Sequence, residues 1–153
     1  MELYEVMDKD CLAFNEPLGS KEEVFDFLIK RLYECEVIQD KAVFKEAVFY
    51  RESLSETGLG DGVAIPHGVS SSVNKAAIAY VRLAAPIPWE SLDDQPIRHV
   101  FLLAIPESGD GVHIRMLSEL ARSLIRPGVI QAINEAETAE DLLDAIQRKE
   151  ETV

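Results

Sequence analysis

Apolar positions recur at helical spacing twice in the first third of the chain. Val24, Phe25, Phe27, Leu28, Leu32 and Tyr33 follow Ser20-Lys21-Glu22-Glu23, a capping box with Ser20 at the cap and Glu23 reaching back. This predicts a helix that ends near Cys35. Asp40 reads as the next cap, and Val43, Phe44, Ala47 and Val48 give the following helix an apolar stripe to about Leu54. Arg51 and Glu52 fall in its last turn. Gly58, Gly60 and Gly62 then predict a flexible-backbone loop. Val63-Ala64-Ile65 reads as a short strand that Pro66 should stop, which leaves His67-Gly68 at a strand end. Ala76–Leu83 and Ile97–Ile105 read as two longer strands, the second central, with a loop from Pro86 to Gln95 that carries Trp89. Leu12–Asn15 adds a strand near the start.

Helical spacing returns after Asp110 or Gly111, with Leu117, Leu120, Ala121 and Leu124 on the buried face. Pro127-Gly128 breaks that helix, and Pro127 starts a short one through Ala136. Thr138 caps a last helix that docks Leu142, Leu143 and Ile146, and Lys149–Val153 reads as a frayed tail. Helices and strands alternate, but not in strict βαβ order. The expectation is an α/β sandwich, one mixed sheet flanked by helices on both faces. No linker composition divides the chain, so residues 1–153 read as a single domain.

Composition narrows the chemistry. With 47% hydrophobic and 28% charged residues in 153, the chain can bury one real core. Its longest apolar runs, such as Val100–Ile105, are too short to span a bilayer, and no signal peptide is visible at Met1–Glu5. A net charge of −13 repels phosphate backbones, which argues against nucleic acid, and would steer a basic protein partner. On charge alone, solubility is the simpler reading. Cys11 and Cys35 could pair in principle. Two cysteines without metal-ligand spacing or a secretion signal read as reduced packing residues of a cytosolic protein.

Three histidines remain to be weighed. His99 lies within a strand whose alternation puts Arg98 and Val100 on one face and His99 and Phe101 on the other; it reads as structural or surface. His113 shares a helix face with Leu117, Leu120 and Leu124, and taken alone it reads as a core histidine. At a helix N-terminus it also stands where an anion is favoured. His67, after Ile-Pro and before Gly, belongs to no periodic apolar face. No serine or cysteine nucleophile motif accompanies these residues. A metal site would need a third ligand, for which Asp61 and Glu52 are candidates, but no HExxH or His-x-His spacing occurs. Gly58-Leu59-Gly60-Asp61-Gly62 is neither a P-loop nor a dinucleotide-binding turn, since a strand follows it where a helix should. Neither a cofactor nor a metal is expected.

The stretch from Arg51 to Gly68 resembles the phospho-acceptor region of bacterial phosphotransferase-system enzyme IIA domains of the fructose/mannitol type (IIA type 2). Its Thr57-Gly58-x-Gly60 and Ile65-Pro66-His67-Gly68 pieces are specific in combination. The resemblance continues through Ile87-Pro88-Trp89, Leu92-Asp93 and Pro96–Pro106 to His113, Leu117, Leu120, Ala121 and Arg122. Ser70-Ser71-Ser72 and Gly109-Asp110-Gly111 fall where family loops vary. The family's chemistry implies that His67 accepts a phosphoryl group from the phosphocarrier protein HPr. His67 then passes it to a cysteine of enzyme IIB while sugar enters through the membrane component IIC. By the same likeness His113 is the second active-site histidine and Arg51 the active-site arginine; Thr57 and the loop N–H groups are candidates for further hydrogen bonds to the phosphate. The implied setting is the bacterial cytoplasm, with no membrane insertion. The Trp89 segment leans toward the fructose type. A second reading places the chain with the nitrogen-regulatory IIA branch, in which phosphorylation of His67 would switch contacts with target proteins.

Overall fold

The computed structural model describes residues 3–107 and 111–147, without the side chains of residues 112 and 113. The elements run β1 (Leu12–Glu16), α1 (Lys21–Glu34), α2 (Lys41–Leu54), β2 (Gly58–Gly60), β3 (Val63–Ala64), β4 (His67–Ser70), β5 (Ala77–Ile87), β6 (Ile97–Pro106), α3 (Val112–Leu124), α4 (Val129–Glu135) and α5 (Ala139–Gln147). Short 3-10 turns at Leu3–Glu5 and Lys9–Cys11 precede β1. The expected tail at Lys149–Val153 and the loop positions Gly109 and Asp110 lie outside the described residues.

Local chemistry starts three of the helices as the sequence predicts. The hydroxyl of Ser20 accepts from the Glu23 amide at 3.1 Å, Asp40 Oδ1 from Val43 at 3.1 Å, and Thr138 Oγ1 from Asp141 at 3.1 Å. Glu23 reaches back one residue further than a capping box requires, to the Gly19 amide at 2.6 Å. α4 departs from expectation. Gly128, at φ 85°, takes the cap, so the helix begins at Val129, not at Pro127.

The sheet order is β1-β5-β6-β3-β2, with β4 continuing the same side of β6 beyond β3. β5 and β6 are antiparallel; β1 on β5, and β3 and β4 on β6, are parallel. The sheet is therefore mixed, and β6 is central as predicted. Alternation along β6 separates two cores. Val100, Leu102 and Ala104 face Phe25, Leu28, Phe44 and Val48 of α1 and α2. Phe101, Leu103 and Ile105 face Met116, Leu120, Ile133, Leu142 and Ile146 of α3, α4 and α5. Burial on both faces explains why this strand reads as an unbroken apolar run. Each of these side chains larger than alanine contributes about 2 kcal/mol on removal from water.

Two further segments differ from the sequence reading. The glycine-rich stretch forms a hairpin, with Gly60 paired to Val63 and a two-residue turn at Asp61-Gly62. Both turn residues have positive φ, 56° and 79°, the geometry for which Asp-Gly is a strong signal. β5 also runs on through Pro86 to Ile87. Its register with β6 shifts between Arg82 and Ile87, and the irregularity accommodates a proline that cannot donate to the ladder. Trp89 follows and folds back onto α1, edge-on to Phe25 with ring centroids 5.5 Å apart.

Candidate functional site

β3 ends at Ala64, before Ile65-Pro66, and β4 begins at His67, so the histidine opens a new strand where the sequence suggested the end of an old one. β4 pairs with the second half of β6 in the register His67–Leu103, Gly68–Ala104, Val69–Ile105. His67 and Val69 therefore stand on the face covered by α3–α5, and Gly68 on the face covered by α1 and α2. Gly68 is what lets α2 lie directly against the strand. A Cβ there would sit 2.9 Å from Val48 Cγ2 and 3.2 Å from the Val48 amide nitrogen.

Arg51 follows Val48 by three residues and rises from the same side of α2. Its side chain passes the sheet edge, and Nε donates to Nε2 of His67 at 3.1 Å. Nη1 donates to the main-chain oxygen and to Oγ of Ser55, both at 3.2 Å. Ser55 is the C-cap of α2, so the negative end of the helix helps hold the guanidinium. On the other side of the ring, Nδ1 of His67 lies 3.3 Å from the carbonyl oxygen of Ile65. A carbonyl only accepts. Nδ1 therefore carries the hydrogen, and Nε2, which accepts from Arg51, carries the lone pair. The imidazole is half-buried, with one nitrogen anchored to backbone and the other next to a cation.

Thr57 is buried, and its main-chain oxygen accepts from the Ile65 amide at 3.0 Å, which ties it to the segment that anchors His67. Its hydroxyl donates to Oε1 of Glu52. The other Glu52 oxygen pairs with Lys21 Nζ at 2.5 Å, and that ammonium sits 4.8 Å above the Trp89 ring. The sequence reading considered Glu52 only as a metal ligand. Its partner Lys21 belongs to the first turn of the preceding helix, so the link left no local signal. Among the described residues no group of three or more His, Cys, Asp or Glu side chains is placed to hold a metal ion.

His113 lies in the first turn of α3, on the same sheet face as His67, but its side chain falls outside the described ones. The face it was assigned is buried at Leu120 and Leu124 and partly buried at Leu117. Met116, absent from the sequence reading, is fully buried on it.

His99 is set apart from this site. It is 1% exposed, accepts from the Tyr80 hydroxyl at Nδ1 (2.7 Å) and donates from Nε2 to Asn134 Oδ1 (2.6 Å). Burial pushes its pKa down to about 4, while burial raises that of the Tyr80 phenol. In the unfolded chain this histidine binds a proton near pH ~6.5. Between the two values the unfolded state holds more protons, so stability falls as pH falls, and the loss is complete below the folded value. His99 should therefore cost the wild type about 2 kcal/mol between pH 7 and pH 5. Urea unfolding at both pH values, beside His99→Gln, measures this. Glutamine should flatten the dependence, and equal slopes in the two proteins would refute the assignment.

The profile of the family described as phosphoenolpyruvate-dependent sugar phosphotransferase system, EIIA 2, matches residues 5–149. The chain belongs to that family. Among its IIA relatives, the fructose-specific EIIABC component of Bacillus subtilis is 35% identical over 97% of this chain, which spans only 23% of that protein's length. The fructose-specific EIIA component of Haloferax volcanii is 30% identical, with 90% of this chain and 89% of the relative covered. The crystal structure of the nitrogen regulatory protein IIA-Ntr from Neisseria meningitidis superposes with a TM-score of 0.86 at 31% identity, covering 93% of this chain and 97% of that one. The α/β fold expected from the sequence is thus that of the IIA proteins. Among the described residues, no helix is long and apolar enough to cross a membrane.

Proposed function

We propose that this IIA protein carries a phosphoryl group on Nε2 of His67 between two protein partners. The observation that carries the reading is the pairing of a backbone-anchored Nδ1–H with an Nε2 lone pair that faces Arg51. The lone pair attacks the phosphorus of phospho-HPr. The donor's P–N bond breaks as the new P–N bond forms, and the donor imidazole leaves with its electron pair. The Ile65 carbonyl stabilises the charge that the ring acquires. Arg51 turns its N–H fork from the nitrogen to the phosphoryl oxygens, and His113 supplies a second donor to them. Phosphoryl transfer needs chiefly such positioning and charge stabilisation, and no metal or cofactor is required. Thr57, whose hydroxyl donates to Glu52, serves the site through its hold on Ile65 and can donate that hydroxyl to a phosphoryl oxygen only when the Glu52 bond opens.

In the second step a cysteine thiolate of enzyme IIB attacks the phosphorus, and Nε2 leaves as neutral imidazole. Both partners are proteins, and the surroundings suit docking: Tyr50 and Leu54 flank Arg51 and Val69 follows His67, all exposed apolar side chains. The acidic surface favours a basic partner. The Bacillus and Haloferax names support a fructose-type sugar, with IIC completing the import, and this reading puts the chain in the cytoplasm with HPr. The Neisseria likeness favours a second reading, in which the same phosphohistidine regulates the binding of target proteins.

The test is phosphoryl uptake. The chain is incubated with phosphoenolpyruvate, enzyme I and HPr, and its intact mass followed, then a fructose-type IIB is added. Gain of one acid-labile phosphoryl group, passed on to the IIB cysteine, is the expected result. Uptake without transfer to any IIB supports the regulatory branch. No uptake from several HPr proteins overturns both.

A further inference from the structure

We infer that Cys11 and Cys35 form an oxidisable dithiol that closes to an intramolecular disulfide under peroxide. Cys11 ends the 3-10 turn before β1, and Cys35 is the C-cap of α1. Although 24 positions apart, their sulfurs lie 3.0 Å from each other, with the Cys11 thiol donating to Cys35 Sγ. Closing a bond of ~2.05 Å needs an approach of only about 1 Å. The two backbones are already tied: Arg31 Nη1, one turn before Cys35, donates to the Asp10 main-chain oxygen at 3.1 Å.

The two thiols differ in access. Cys11 is 1% exposed, and burial, then its hydrogen bond to Cys35 and, least, the carboxylates of Asp8 and Asp10, raise its pKa. Cys35 is partly exposed and borders an open basin that Asp10, Lys30 and Arg31 also line. Peroxide therefore meets Cys35 first. The Cys35 sulfur attacks a peroxide oxygen, the O–O bond breaks, and the thiol proton leaves with the departing hydroxide as water. This gives Cys35 sulfenic acid. The Cys11 sulfur then attacks the Cys35 sulfur, the S–O bond breaks, and the Cys11 proton leaves with that hydroxide as a second water. One peroxide is reduced, and two thiols are oxidised to one disulfide. The new bond would clamp the end of α1 to the start of β1.

The experiment treats the full chain with hydrogen peroxide, alkylates residual thiols, and reads intact mass and a peptide map without reductant. The expected product is lighter by two hydrogens, unalkylated, with the Cys11 and Cys35 peptides linked, and is reversed by dithiothreitol. Its melting temperature should rise by roughly 5–10 °C, since a cross-link constrains the unfolded chain. Cys11→Ser should instead leave a sulfenic acid on Cys35 that dimedone traps. Two alkylated thiols after peroxide, successive oxygen additions without linkage, or disulfide-linked dimers would each overturn the inference. The wild-type map alone decides the matter if the serine variant folds poorly.

Discussion

His67→Gln will take up no phosphoryl group from phospho-HPr. Glutamine can still accept from Arg51 through its amide oxygen, so the contact across the sheet edge survives and the fold is retained. What it lacks is a nitrogen lone pair able to form a P–N bond, since an amide nitrogen is delocalised into its carbonyl. The loss is therefore complete, not partial. Arg51→Lys grades the same site. Lysine keeps the charge but not the planar fork, and cannot both hold Ser55 and grip two phosphoryl oxygens. Losing one oriented donor of this kind costs roughly a hundredfold in rate, or about 3 kcal/mol of barrier. Rapid-quench uptake with limiting phospho-HPr measures both variants. Normal uptake by His67→Gln would move the acceptor to another histidine. An unchanged rate in Arg51→Lys would remove Arg51 from the phosphoryl oxygens.

Arg82→Met will lower stability by about 1–3 kcal/mol without touching the phosphoryl site. Arg82 is 4% exposed on β5. Its Nη1 donates to the carbonyls of Ile133 (3.2 Å), Asn134 (2.9 Å) and Ala136. Its Nη2 reaches Asn15 at 3.5 Å, and the guanidinium stacks 5.2 Å from the Phe14 ring. The last carbonyls of a helix have no partners within it, and here they end in the protein interior. One buried cation satisfies the end of α4 and is favoured there by the helix dipole. Methionine fills much of the volume but leaves those acceptors unpaired. An unsatisfied buried polar group costs about 1–3 kcal/mol. Urea unfolding reads the change. A loss below about 1 kcal/mol would mean that water reaches the end of α4. Undiminished uptake by the folded fraction would keep the effect apart from the site.

Legibility in the sequence follows the range of the forces involved. Ser20, Asp40 and Thr138 announce their helices because a cap satisfies amides two or three residues away. The two-faced burial of Val100–Ile105 is likewise written in an unbroken apolar run. The hairpin at Asp61-Gly62 was also legible, and the three clustered glycines obscured it by suggesting a loop. Passage of β5 through Pro86 was not, because it depends on a shift of register against β6.

The sequence by itself determined the order of the helices and of the longer strands, the α/β class, the family likeness, and Arg51 and His67 as the residues to watch. These rest on local propensity, periodicity and motif. Only the tertiary structure decided that Arg51 meets His67 around a sheet edge. That contact exists because Gly68 has no side chain to hold α2 away, and no spacing rule encodes it. The tertiary structure also chose the tautomer, by setting the Arg51 donor against Nε2 while the Ile65 carbonyl, two residues away, takes Nδ1. It paired Cys11 with Cys35 and buried Arg82 beneath α4 for the same reason. The contacts of Arg51, Cys11 and Arg82 join segments distant in sequence, and their energy is set by packing geometry that no local pattern carries.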